Sequence, residues 1–211
     1  MTTTTTPTGR GEELASRPLA RHRTVDLMVT VAIGVAFGIA FLGYGALYTL
    51  LTPLTTLFPP SVGILAGIWF LPAVLAGLIV RRPGAALLAE VIAAVVEMML
   101  GAQWGWATVV SGLIQGGGVE LVFALTAYRR FRLPVAIAAG MVAAAFEWVY
   151  ERFFYYQEFS TAAGLWLLLL FLVSGALLAG LLGWGLTRAL AATGALNAFP
   201  PGREHARAHR V

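Results

Sequence analysis

The stretch that decides the fold is residues 27–80, LMVTVAIGVAFGIAFLGYGALYTLLTPLTTLFPPSVGILAGIWFLPAVLAGLIV, which hold no charged side chain. About 20 apolar residues suffice to cross a bilayer as an α-helix, so this run must cross, turn and return. The whole chain of 211 residues is 59% hydrophobic and 11% charged. A soluble globular protein has about 25% charged residues. The sequence therefore predicts an all-α, polytopic membrane protein.

Hydropathy predicts six transmembrane helices between two polar ends. The predicted spans are residues 25–46, 63–80, 84–101, 106–128, 134–150 and 163–190. Residues 1–24 are rich in threonine and arginine, a composition typical of a disordered tail. The predicted domains are accordingly a basic tail (1–24), a six-helix transmembrane domain (25–192) and a second basic tail (193–211).

The arginines predict the orientation of this bundle. All 14 basic residues are arginine, and with six spans every one except Arg152 falls on the same side of the membrane. The positive-inside rule then places both termini in the cytoplasm and predicts a multi-pass protein of the plasma membrane. The same distribution accounts for the net charge of +4 without a nucleic acid partner.

Several kinds of chemistry lack the residues that they need. The chain has no cysteine and no lysine, which excludes thiolate sites and the Gly-Lys-Ser/Thr loop of P-loop ATPases. Neither HExxH nor GxSxG occurs, and the histidines lie outside the predicted spans. We therefore expect a protein that is not an enzyme, with no metal site and no cofactor of its own.

Acidic side chains lie where they are costly, inside the predicted spans. These intramembrane glutamates are Glu90, Glu97, Glu120 and Glu147. Each costs at least about 2.5 kcal/mol at mid-membrane, so each should face the bundle interior or a cavity. With about 1.5 Å of rise per residue, Glu97, Glu147 and Gln115 reach a similar layer in the outer half. For Glu90 and Glu120, a purely structural role is at least as well supported.

The outer half also collects aromatic side chains, which together with the acids predict a pocket. The residues grouped there are Glu97, Gln115, Trp104, Glu147, Trp148, Glu151, Tyr155 and Tyr156. Glu147 and Glu151 share a helical face, and Trp148 stands beside them. Such a pocket suits a cationic or amino-bearing aromatic ligand. The open alternatives are an interfacial aromatic belt and acids that only hold helices together.

Small residues predict where helices approach closely. The first span carries Ala32, Ala36 and Ala40 at four-residue spacing, with Gly34 and Gly38 on another face. Either face suits packing within the bundle or the docking of a partner subunit. The triplet 116–118, Gly-Gly-Gly, predicts a bent or irregular helix in the fourth span.

Four motifs carry a resemblance to a known family. They are GIWFLP at 67–72, RRPGAAL at 81–87 followed by Glu90 and Glu97, QGGGVELVF at 115–123, and YRRF at 128–131. Over about residues 25–190 the chain resembles the substrate-binding (S) subunits of energy-coupling-factor (ECF) transporters, of the hydroxymethylpyrimidine/thiamine type. Members of this family are often called cobalt-transport permease components.

The resemblance implies a six-helix bundle that captures thiamine or its hydroxymethylpyrimidine precursor from outside. It implies docking on a transmembrane T subunit that carries two cytoplasmic ATPase subunits, so that ATP is used by the partners. Ala32, Ala36 and Ala40 match the docking surface of such subunits. Glu97 and Glu147 would then bind the aminopyrimidine or the cation. The remaining pocket residues would be Trp104, Trp148 and Tyr155 for stacking, with Trp69 and Gln115 completing the wall.

Three alternatives differ in class from a vitamin-binding subunit. A nickel or cobalt S subunit would carry an N-terminal Met-His motif, whereas this chain begins Met1-Thr2-Thr3. A self-contained carrier or channel would use the intramembrane glutamates as a proton path, although no inverted repeat is evident. A structural membrane protein would use its acidic side chains only to hold helices together.

Overall fold

The computed structural model describes residues 22–208, and these residues form eight α-helices without a β-strand. The helices are α1 Thr24–Leu51, α2 Leu71–Val80, α3 Ala85–Met99, α4 Trp106–Leu125, α5 Leu133–Phe154, α6 Thr161–Ser174, α7 Leu182–Ala192 and α8 Pro200–Ala208. Two 3₁₀ segments, Thr52–Leu57 and Pro59–Ile68, connect α1 to α2, and the π-helical segment Gly175–Leu181 joins α6 to α7. The predicted tail at 1–24 lies outside the described residues except for its last three positions.

The all-α class and several membrane-spanning helices are confirmed. Five helical stretches of the described chain are long and apolar enough to cross a bilayer: Thr24–Leu57, Pro59–Val80, Trp106–Leu125, Leu133–Phe154 and Thr161–Ala192. The third predicted span is α3, which has 15 residues. At about 1.5 Å per residue it is shorter than the hydrocarbon core, so a count of six spans stays a prediction.

The two faces of small residues on α1 have different surroundings. Gly34 and Gly38 are buried, and a Cβ atom at either position would lie within 2.7 Å of the Cβ atom of Ile92 or Val96 on α3. The glycine face therefore lets α1 and α3 approach closely. The alanine face, consisting of Ala32, Ala36 and Ala40, is exposed.

The prediction of an irregular helix at residues 116–118 is wrong, because α4 continues as an α-helix through the glycine triplet. The glycines instead provide room for neighbouring helices. A Cβ atom at Gly116 would lie 2.9 Å from the Cβ atom of Glu90, and one at Gly118 would lie 2.8 Å from the Cα atom of Ala143. These contacts bring α3 and α5 against opposite parts of α4.

The irregular backbone lies instead in the segment Pro59–Ile68, which forms one wall of the bundle. A buried hydroxyl from the α6 end satisfies two of its backbone groups. Ser174 Oγ accepts from the Gly67 N–H at 2.8 Å and donates to the Ile64 carbonyl at 2.5 Å. A backbone that departs from the α-helix inside a membrane protein requires such internal partners.

The C-terminal segment packs on the bundle instead of extending away from it. Leu196 and Phe199 are buried in an apolar cluster with Leu71 and Leu75 of α2. The α8 helix is tied to the start of the α2–α3 loop because Arg81 donates to both carboxylate oxygens of Glu204, at 2.5 and 2.9 Å. The segment predicted as a basic tail after residue 192 thus contributes to the core up to Phe199.

Candidate ligand-binding site

A cavity of about 320 Å³ lies between α1, the segment Pro59–Ile68, α3, α4 and α5. This volume is at the lower end of the range of small-molecule pockets, about 300–1,000 Å³. Tyr155 lines the cavity and is 48% exposed, so the cavity reaches the protein surface there. The cavity therefore has the size and access of a ligand site.

Acidic side chains dominate the polar part of the cavity wall. Glu90 and Glu97 come from α3, and Glu147 and Glu151 come from α5. The first three are no more than 2% exposed. Among the described residues that line the cavity, none is an arginine or a histidine. The wall is therefore complementary to a ligand that brings positive charge or N–H donors.

The two carboxylate oxygens of Glu147 have different surroundings. The Ser111 hydroxyl donates to Glu147 Oε1, and Gln115 Nε2 donates to the Ser111 hydroxyl at 2.6 Å. In the described part of the chain, Glu147 Oε2 is buried without a hydrogen-bond partner, and so is the hydroxyl of Thr108, which also lines the cavity. A buried polar atom without a partner costs about 1–3 kcal/mol, so both atoms are suited to a polar ligand.

Three aromatic rings form a second part of the wall. The ring centroids of Tyr48, Trp69 and Trp104 lie 5.4–5.6 Å from one another, and every pair meets edge to face. Glu97 lies beside the Trp69 side chain. The rings pack directly against one another, so a ligand can contact only the parts of this cluster that line the cavity. The negative face of an aromatic ring attracts a cation, and desolvation strengthens the attraction. This part of the wall suits a flat or cationic group.

The loop after α5 positions aromatic side chains at the cavity mouth. Arg152 does not line the cavity; it donates to the backbone carbonyls of Tyr156 and Phe159 at 2.7 and 3.0 Å and so fixes the loop. Burial and the neighbouring Tyr150 raise the pKa of Tyr155 to about 12. The Tyr155 hydroxyl therefore stays protonated at neutral pH and can donate a hydrogen bond to a ligand.

The two glutamates whose roles the sequence left open differ in position. Glu90 lines the cavity, and its Oε2 atom also accepts from the Ala73 N–H of α2 at 3.0 Å. Glu120 does not line the cavity. Its carboxylate accepts from backbone N–H groups at the start of α3, at 2.6–3.2 Å, and from the Tyr128 hydroxyl at 2.5 Å. Glu120 is therefore a structural residue that caps α3.

Most of the predicted site residues lie around this one cavity. They are Trp69, Glu97, Trp104, Gln115, Glu147 and Tyr155. The expectation for Trp148 is corrected: its indole N–H donates to the Gly164 carbonyl at 2.9 Å, and it does not line the cavity. Gly164 belongs to α6, so the Trp148 ring is directed toward α6 and away from the cavity.

Sequence reasoning missed Tyr48, Thr108 and Ser111, which also line the cavity. A signal for two of them was present. Thr108, Ser111 and Gln115 are polar residues at helical spacing in an otherwise apolar span, which places them on one face of α4. Tyr48 had no comparable signal, because it lies at the end of a span where aromatic residues are common.

Comparisons with known proteins agree with this architecture. The family model for the permease component of ABC-type cobalt transport systems matches residues 25–146. A Bacillus subtilis (strain 168) protein named as an HMP/thiamine permease, YkoE, is 37% identical over 180 residues, which are 85% of this chain and 89% of that protein. The crystal structure of an S-component of an ECF transporter matches with a TM-score of 0.85 and 34% identity, covering 90% of this chain and 96% of that one.

The description of the family model names cobalt. Within residues 22–208, no three His, Cys, Asp or Glu side chains are grouped so that they could hold a metal ion together. The relatives are transport proteins and not enzymes. The chain therefore belongs to the family of S components of ECF transporters.

Proposed function

We propose that this S component captures thiamine or its hydroxymethylpyrimidine precursor in the cavity between α3, α4 and α5. The observation that carries the proposal is that Glu147 Oε2 and the Thr108 hydroxyl, which belong to the lining of one acidic cavity, are buried without a hydrogen-bond partner within residues 22–208. The name of the Bacillus subtilis relative supports the same ligand class.

The two parts of the cavity wall fit the two rings of thiamine. The aminopyrimidine offers an amino group as donor and ring nitrogens as acceptors, which match Glu147 Oε2 and the Thr108 hydroxyl. The thiazolium ring carries the positive charge, and it would lie against the cavity side of the cluster formed by Tyr48, Trp69 and Trp104, with Glu97 nearby. The pyrimidine precursor would use only the first part.

Transport driven by ATP would require partner subunits, because the chain lacks an ATP-binding loop. The proposal places six spans in the plasma membrane with both termini in the cytoplasm, and it includes a T subunit and two ATPase subunits as partners. The exposed face of Ala32, Ala36 and Ala40 is the proposed surface for the T subunit. Small side chains on an exposed helix face allow a partner helix to approach closely.

Tryptophan fluorescence of the purified chain in detergent tests the ligand. Trp69 and Trp104 line the cavity, so a bound ring should quench their emission. We expect saturable quenching by thiamine at submicromolar concentration, and none by riboflavin or Ni²⁺. A chain that responds to neither thiamine nor hydroxymethylpyrimidine would refute the proposed ligand.

Uptake into vesicles tests the dependence on partners. We expect the lone chain to bind thiamine without accumulating it, whereas the chain assembled with T and ATPase subunits should take it up with ATP. Ala36→Leu should abolish most uptake and leave binding unchanged. Val35→Leu, at an exposed α1 position off the alanine face, is the control. Thiamine flux through the lone chain would favour a self-contained carrier.

A further inference from the structure

The α4–α5 loop, residues 126–132, presents three exposed arginines at the end of two membrane-spanning helices. They are Arg129, Arg130 and Arg132. The structure gives none of these three side chains a carboxylate partner anywhere in residues 22–208. We call this segment the arginine loop, and it carries three uncompensated positive charges.

The nearest acid cannot neutralise these charges. Glu120 lies one helical turn before the end of α4, but both of its oxygens are occupied by backbone N–H groups of the α3 start and by Tyr128. Its carboxylate thus points into the bundle. The other acids at this end, Asp26 and Glu204, are paired with Arg23 and Arg81.

The backbone of the arginine loop is held in a defined shape. Ala127 and Tyr128 both adopt left-handed conformations, with φ of 51° and 53°. Such conformations persist in residues other than glycine only where the surroundings impose them. Here the Tyr128 N–H donates to the Phe123 carbonyl at 2.9 Å, and Phe131 stacks on Phe123 at 5.4 Å. A fixed loop loses little conformational freedom when it binds a partner.

An apolar surface adjoins the arginine loop. Leu121 and Leu125 are 41% and 78% exposed, lie four residues apart on α4 and share a face. The end of α4 is therefore apolar on the outside and continues directly into the arginines. An apolar surface followed by a basic loop matches a phospholipid with an anionic headgroup, whose acyl chains would cover the leucines.

From this juxtaposition we propose that the arginine loop is a binding site for the headgroups of anionic phospholipids. Basic side chains close to a membrane surface attract such lipids, whereas zwitterionic headgroups gain little from them. Leu121 and Leu125 lie on a membrane-spanning helix, so the arginines that follow them lie near the depth of the lipid headgroups, which favours a lipid over an acidic protein surface. The proposal does not depend on the identity of the transported ligand.

The test compares the association of spin-labelled phosphatidylglycerol and spin-labelled phosphatidylcholine with the full chain in phosphatidylcholine nanodiscs. We expect the wild-type chain to prefer phosphatidylglycerol, and Arg129→Gln/Arg130→Gln to reduce this preference at least about fivefold. The matched control is Arg188→Gln/Arg207→Gln, which removes two other exposed arginines. Thermal unfolding of both variants verifies that they are folded.

Three results would overturn the proposal. The first is a wild-type chain that does not distinguish the two lipids. The second is an equal reduction in both double variants, because the preference would then follow net charge. The third is a preference for phosphatidylglycerol that is unchanged in Arg129→Gln/Arg130→Gln, while the same double variant no longer assembles with its partner subunits. This combination would show that the arginines contact an acidic protein surface.

Discussion

Replacing Glu147 by glutamine perturbs the ligand contact with almost no change in shape. The amide oxygen of the variant can keep the hydrogen bond from Ser111, which leaves its NH₂ group at the position of the free Oε2 atom. An amide donor would then face the amino group of the ligand. Hydrogen bonds to a charged group contribute about 1.5–3 kcal/mol. We therefore expect Glu147→Gln to weaken thiamine binding about 10- to 150-fold.

Isothermal titration calorimetry of the purified chain with thiamine and with hydroxymethylpyrimidine measures the loss. Both ligands carry the amino group, so both affinities should fall by a similar factor. Glu158→Gln is the matched control, because Glu158 is exposed and does not line the cavity. The unliganded Glu147→Gln chain should unfold at the same temperature as the wild type or higher, since the change removes an ionisable group from a buried position.

Two results would refute the reasoning for Glu147. Affinities for both ligands within about twofold of wild type would show that the free oxygen does not contact the ligand. A loss for thiamine with unchanged binding of the pyrimidine would show that Glu147 faces the thiazolium ring.

Three further predictions concern packing, capping and the aromatic wall. Glu120→Gln should lower the free energy of unfolding by about 1–3 kcal/mol, because it removes the charged cap of α3, and leave the thiamine Kd unchanged; a large loss of affinity would contradict the structural role. Gly38→Ala places a Cβ atom 2.6 Å from an α3 side chain, so its unfolding midpoint should fall. The control is Gly43→Ala, where the new Cβ atom meets open space. Equal midpoints for the two variants would contradict the proposed α1–α3 contact. Trp69→Ala should weaken thiamine binding about 2- to 30-fold, measured by calorimetry, and should weaken binding of the pyrimidine less. The control is Trp166→Ala, because Trp166 is exposed. Equal losses of affinity for both ligands would argue against a cation site.

The sequence predicts best those features whose placement depends on one large free-energy cost. A carboxylate inside a membrane is expensive unless it faces a cavity, and on this ground Glu97 and Glu147 were placed in one site that the structure also brings together. The all-α class follows in the same way from an uncharged run too long for one crossing.

The elements that the sequence could not place depend on contacts between distant parts of the chain. The segment Pro59–Ile68 is held by Ser174, more than 100 residues away, and no local pattern indicates this partner. The prediction of an irregular helix at the glycine triplet 116–118 is wrong, because glycine is found both in irregular backbone and where helices pack closely. The choice between them is made by Glu90 and Ala143 on neighbouring helices.

The most direct test of the ligand site is an experimental structure of the chain with thiamine bound. We predict that thiamine occupies the cavity between α3, α4 and α5. Its amino group should lie within hydrogen-bonding distance of Glu147 Oε2, and its thiazolium ring should lie against the cavity side of the cluster formed by Tyr48, Trp69 and Trp104. Thiamine bound elsewhere, or in this cavity with its amino group turned away from Glu147, would contradict the account.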